Sequence, residues 1–175
     1  MHSYKNDNHE KIIKNIISKN NKKIHISLSS EICPEIGEYD RLNTTCANAY
    51  IQPIAENYLN ELNKEIKKLN INSDIKLIWS DGGISSLKDS IANPIRLLES
   101  GPAGGALAIS YLSKKNNNNN AIAFDMGGTT AKICLLKNSS PFKSSSFEFG
   151  RMHGNKPGSR TVSYTHLTLP TTPYV

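Results

Sequence analysis

An α/β fold is predicted by three features of this 175-residue sequence. Stretches with a helical apolar period alternate with short apolar runs of strand length. Glycine-rich turns close two of those runs, and polar or asparagine-rich segments separate the rest. The length suits one domain with a real core, or part of a larger one.

His9 to Asn20 places Ile12, Ile13, Ile16 and Ile17 on one stripe, which predicts an amphipathic helix. Lys23 to Ser29 alternates with period two and reads as a strand, followed by a polar segment from Ser30 to Arg41. Thr44 and Thr45 are candidate N-caps for a long helix to about Leu69, in which Pro53 predicts a kink or a break. Asp74 to Trp79 reads as a buried strand closed by the Ser80-Asp81-Gly82-Gly83 turn, and Ser86 to Ala92 as a short helix ending before Pro94. Ser100 to Gly105 then leads into an apolar helix to about Leu112, and Lys114 to Asn120 is an exposed polar loop. Ala121 to Asp125 and Ala131 to Leu136 are strands on either side of a glycine-rich turn.

Composition excludes several classes. Hydrophobic residues make up 37% and charged residues 21%, which fits neither a disordered chain nor a membrane-embedded one. No apolar run approaches the roughly 20 residues of a membrane span, and His2 to Glu10 has no apolar core of a signal peptide. Cys33, Cys46 and Cys134 lack paired spacing, so three reduced thiols in the cytoplasm are expected. The net charge of +6 is uneven: about +4 over residues 1–30, about −4 over 31–100 and about +6 over 101–160. Lysine far outnumbers arginine beside abundant Ile and Asn, the mark of a low-GC genome more than of a nucleic-acid partner.

The sharpest chemical feature is Asp125-Met126-Gly127-Gly128-Thr129-Thr130 at the end of an apolar strand. Glycines let backbone N–H groups approach a phosphate, and the two threonines add hydroxyl donors. Asp125 is of the type that holds Mg²⁺, a hard cation that prefers oxygen ligands. Strands on both sides point to a hairpin, and G-x-x-x-x-G-K-[ST] is absent. Ordinary Gly-Gly turn chemistry explains the same residues. Ser100, Gly101, Gly104 and Gly105 precede a predicted helix, where free N–H groups suit an anion, although close packing accounts for glycines there more readily. Asp81-Gly82-Gly83 reads as a simple turn. His2, His9, His25 and His153 have no metal-ligand spacing, and no G-x-S-x-G elbow occurs.

Thr161 to Val175 is uncharged and rich in Thr and Pro. Val162 to Thr171 back-translates to GTC TCT TAT ACA CAT CTG ACG CTG CCG ACG, which looks like a transposon-end sequencing adapter. Residues 161–175 are therefore expected to be an adapter artefact and the true chain to run on beyond about residue 160. The competing account is a genuine β-rich tail.

Taken in order, His2-Ser3-Tyr4, Glu38-Tyr39-Asp40-Arg41, Thr44-Thr45, Ser80-Asp81-Gly82-Gly83, Ser100 to Gly105 and Phe124 to Thr130 resemble the hydantoinase A/oxoprolinase family. Phe147-Glu148-Phe149-Gly150-Arg151-Met152-His153 extends the match. The resemblance implies an incomplete part of an actin/sugar-kinase/Hsp70-like ATPase superfold. Residues 1–99 would link an N-terminal lobe to the hydantoinase A domain, and residues 100–160 would begin the ATPase lobe. It further implies ATP-dependent opening of a cyclic amide, 5-oxoproline or hydantoin, through phosphorylation of the amide oxygen, by a chain inactive alone. A non-catalytic ATP-binding scaffold and a ketone carboxylase subunit are the alternatives. ATP and Mg are the implied cofactors, and a hydantoinase B-type subunit or domain the implied partner. By carry-over Asp125, Gly127, Gly128, Thr129 and Thr130 form the phosphate and metal group, with Ser100, Gly101, Gly104 and Gly105 second in rank.

One departure stands out. Many family members read D-M-G-G-T-S-T-D, whereas Thr130, Ala131 and Lys132 follow Thr129 here. A second carboxylate is thus missing; Lys132 could offer a cation to phosphate in its place, but is expected rather to point to solvent.

Overall fold

The computed structural model describes residues 2–127 and 131–143, with the backbone alone of Thr130 and Leu167–Pro170. Two compact units divide them: residues through Leu77 with Ser85–Ile95, and Ile78–Ile84 with the described residues from Arg96 on.

The first unit is helical. Helix α1 (Asn8–Asn20) forms as the apolar period predicts, but none of its residues is buried, and Ile12, Ile13 and Ile16 are each more than half exposed. It is held by polar contacts instead. Glu10 accepts the Ser29 hydroxyl at 2.5 Å, the Ser30 N–H at 3.0 Å and the Ser30 hydroxyl at 2.7 Å. The expected strand over Lys23–Ser29 is not there. Those residues run without a strand partner into α2 (Ser29–Ile32), because a period-two pattern marks a surface and only a neighbouring strand makes it a ladder.

Helix α3 (Glu38–Lys68) corrects two further expectations. It begins six residues before Thr44, behind Gly37 at a φ of 112°. Thr44 and Thr45 lie inside it and turn their hydroxyls back onto the Asp40 and Arg41 carbonyls at 2.8 and 2.7 Å. Nor does Pro53 break the helix, which runs on for 31 residues. Pro53 sits on the exposed side, where the carbonyl it leaves without an N–H partner can turn to water.

Asn48 on α3 has no exposed surface. Its amide donates to the Ser27 hydroxyl at 3.1 Å and the Ala92 carbonyl at 3.2 Å, and accepts the Ile95 N–H at 3.2 Å. It thereby fastens the 24–28 segment and the end of α4 (Leu87–Ala92) to the long helix. Ser86 caps α4 by accepting the Asp89 N–H. Strands β1 (Lys76–Ile78) and β2 (Ile84–Ser86) pair as two short strands; Ile78 is 42% exposed, so β1 is not the buried strand its apolar run suggests.

In the second unit α5 (Ser100–Lys115) lies on a sheet of β3 (Asn120–Met126), β4 (Thr130–Lys137) and β5 (Ser140–Pro141). The core between them is made of small residues, with Ala103, Ala106, Ala123 and Cys134 packed around Leu136. The turn after α5 is exposed as expected and is tied down by backbone: the Ser113 and Ser139 hydroxyls both donate to the Asn118 carbonyl. Strand β6 (Leu167–Pro170) pairs antiparallel with β4, from Thr130 opposite Pro170 to Ile133 opposite Leu167. A Thr- and Leu-rich stretch has the β-propensity to pair with an open strand edge whatever its origin.

Candidate functional site

Pairing of β3 with β4 sets the site. Ala121 faces Leu136, Ala123 faces Cys134 and Asp125 faces Lys132. Alternation along a strand puts these pairs on one face, and Ala123, Cys134 and Leu136 belong to the core under α5. Asp125 is thus carried to the α5 side of the sheet, at the end of the hairpin. There a cleft of about 260 Å³ opens, lined by Pro102, Gly105, Ile109, Ala123, Asp125 and Lys132.

Among the described residues no hydrogen bond or ion pair reaches the Asp125 carboxylate. Gly127, two residues on, is exposed. Gly128, Thr129 and the side chain of Thr130 lie outside the described residues, as do Phe147 to His153. Lys132 does not point to solvent. Its ammonium pairs with the Glu99 carboxylate, and the two side chains are 17% and 18% exposed. A strand that alternates toward the core carries Lys132 inward, which a solvent assignment overlooked.

The segment Ser100 to Gly105 is the first turns of α5, not a loop ahead of it. Pro102 needs no N–H partner that early in a helix, so the helix can start at once. A methyl group added at Gly101 or Gly105 would meet nothing within 4 Å, and at Gly104 only the Ile78 Cδ1, at 3.4 Å. Close packing therefore does not explain Gly101 or Gly105, and Gly105 keeps the cleft wall low.

The Asp81-Gly82-Gly83 turn is explained by its own geometry. Gly82 has φ 84°, the Gly83 N–H donates to Asp81 Oδ1 at 2.7 Å, and a Cβ on Gly83 would come within 2.9 Å of that oxygen. The Arg96 guanidinium stacks over Trp79 at 4.2 Å. Cys134 is a core thiol, and burial pushes it up, offset only in part by a hydrogen bond from the Phe142 backbone.

No group of three or more His, Cys, Asp or Glu among the described residues could cage a metal. A single carboxylate beside a glycine turn instead suits a magnesium ion whose other ligands are water and phosphate oxygens. No helix among the described residues is long and apolar enough to cross a membrane. Glu99 is the participant that sequence reading missed. Nothing in its local context signals a partner 33 positions away.

A hydantoinase/oxoprolinase family model matches residues 41–164. An uncharacterized protein of Methanocaldococcus jannaschii is 43% identical over 86% of this chain and 22% of its own length. The 5-oxoprolinase of Saccharomyces cerevisiae is 35% identical over 76% of this chain and 10% of its own. Among solved structures, nucleotide-free acetone carboxylase, described in the context of ATP-dependent acetone carboxylation, superposes with a TM-score of 0.69 at 26% identity. That match covers 97% of this chain and 23% of the carboxylase chain. The chain therefore spans about a fifth or less of the relatives it matches.

Proposed function

This chain belongs to the hydantoinase/oxoprolinase family, and from that premise we propose that it is the phosphate-binding part of an enzyme that opens a cyclic amide at the expense of ATP. The substrate would be 5-oxoproline or hydantoin, with the amide oxygen phosphorylated and water then opening the ring as phosphate leaves. One observation carries the reading: the Asp125 carboxylate, without a partner among the described residues, stands at the hairpin end over a cleft whose wall is lowered by Gly105.

Asp125 would hold magnesium, directly or through water. The backbone N–H groups of Gly127 and Gly128 and the hydroxyls of Thr129 and Thr130 would meet the phosphates, with Ser100, Gly101, Gly104 and Gly105 forming the opposite wall. Magnesium held at this place would supply positive charge against the transferring phosphoryl group. We assign residues 1–99 to the link from an N-terminal lobe, 100–160 to the start of an ATPase lobe of the actin/Hsp70 type, and 161–175 to adapter sequence. Resequencing the locus from an independent library tests the last assignment; the same codons there would overturn it. The partner would be a hydantoinase B-type subunit or domain, and the compartment the cytoplasm, where ATP is supplied.

The acetone carboxylase likeness favours a second reading, a ketone carboxylase subunit. Full-length protein assayed for phosphate release with 5-oxoproline, hydantoin and acetone separates the two. Asp125→Asn is expected to abolish the substrate-dependent release. Unchanged turnover would remove the site assignment.

A further inference from the structure

We propose that Glu99 is a positioning residue for Asp125: it takes up the Lys132 ammonium and so leaves the Asp125 carboxylate open to a cation. The inference rests on the reading of Asp125 as a cation-holding group.

Residues directly opposite on an antiparallel pair have Cβ atoms about 5 Å apart, and opposite charges placed there attract. Asp125 and Lys132 are such a pair. Left to themselves they would neutralise each other, and a carboxylate bound to an ammonium is a poor ligand for a second cation. In the structure Lys132 pairs with Glu99 instead. With 17% of its side chain exposed, Lys132 needs a carboxylate partner, and Glu99 supplies it from the start of α5.

Glu99 holds an unfavourable backbone to do so. Its φ of 63° and ψ of 14° lie in the left-handed region, sparsely used by residues with a side chain. It stands at the N-cap position of α5, yet its side chain makes no capping hydrogen bond. Its carboxylate serves the strand opposite, not its own helix.

The test uses the isotope-labelled 175-residue chain at a fixed pH of about 7, with Glu99→Gln and the double variant Glu99→Gln/Lys132→Gln. Two signals are followed: the Asp125 carboxyl carbon shift, and the broadening of Asp125 resonances by added Mn²⁺. In Glu99→Gln the freed ammonium turns to Asp125. The carboxyl signal moves outside the scatter of the other aspartates, and the Mn²⁺ needed for half-broadening rises roughly fivefold, the effect of one screened charge at contact distance. In the double variant both signals return to their wild-type values. A purely structural role for the pair would not give that return.

An unmoved Asp125 carboxyl in folded Glu99→Gln overturns the inference. Should Glu99→Gln fail to fold, the double variant decides alone. Wild-type behaviour supports the inference, and Mn²⁺ binding several-fold tighter than wild type overturns it. A carboxyl that moves and returns, with no Mn²⁺ broadening in any variant, leaves the Glu99 role standing and removes the cation role of Asp125.

Discussion

Asn48 and Gly105 show how differently two residues of similar modesty can matter. Asn48 satisfies a hydroxyl, a carbonyl and a backbone N–H in a site without solvent. Asn48→Ala would strand those groups, and a loss of about 2–3 kcal/mol is expected in the free energy of unfolding by urea. Gly105 sits inside a helix with open space beside it. Gly105→Ala should therefore stabilise the chain by up to about 1 kcal/mol in the same measurement, while weakening any ligand seated in the cleft. The place of Asp125 near the end of β3 was legible in the sequence because an apolar strand runs directly into it. Asn48 was not, since a polar residue on a helix gives no sign of which distant backbone it will meet. Lys132 was misplaced for the same reason: its partner comes from another element.

Among the elements, α5, the β3–β4 hairpin and α4 follow from period and turn chemistry. The failures are the strand over 23–29, which found no neighbour, the break at Pro53, the burial of β1, and the starts of α5 and α3, the latter fixed by Gly37 while Thr44 and Thr45 bond back into the helix. Helix α1 is the element most exposed to acid. Burial works against ionisation of Glu10, but the Ser29 hydroxyl, the Ser30 N–H and hydroxyl, and the Ser3 hydroxyl outweigh it and bring the carboxyl from 4.5 down to about 2. A carboxylate held below its ordinary range stabilises the fold fully above about pH 4.5 and progressively less as pH falls toward 2. Solvent screening reduces the effect to roughly 1 kcal/mol. Thermal melts between pH 2 and 6 should show this loss, and Glu10→Gln should remove that part of the pH dependence.

For the molecule as a whole, β3 is the outer strand of its sheet among the described residues, with Ile122, Phe124 and Met126 more than half exposed on the face away from α5. An open apolar edge of this kind invites pairing between copies. Sedimentation velocity should show concentration-dependent self-association of the 175-residue chain, reduced by Ile122→Lys. Titration calorimetry of the same chain with Mg·ATP is expected to find binding weaker than low micromolar, since the chain spans about a fifth or less of the relatives it matches and would carry only part of a nucleotide site. The turn from α5 into β3 has a different consequence, in the genetics of the protein. Its anchor points are the main-chain carbonyls of Asn118 and Asn119, which receive Ser113 and Ser139. Any residue offers the same carbonyl, and the neighbours are asparagine as well. A codon gained or lost by slippage within that repeat would present the serines with an identical acceptor, so lineages can drift in length there while the pairing of Asp125 with Lys132 stays in register.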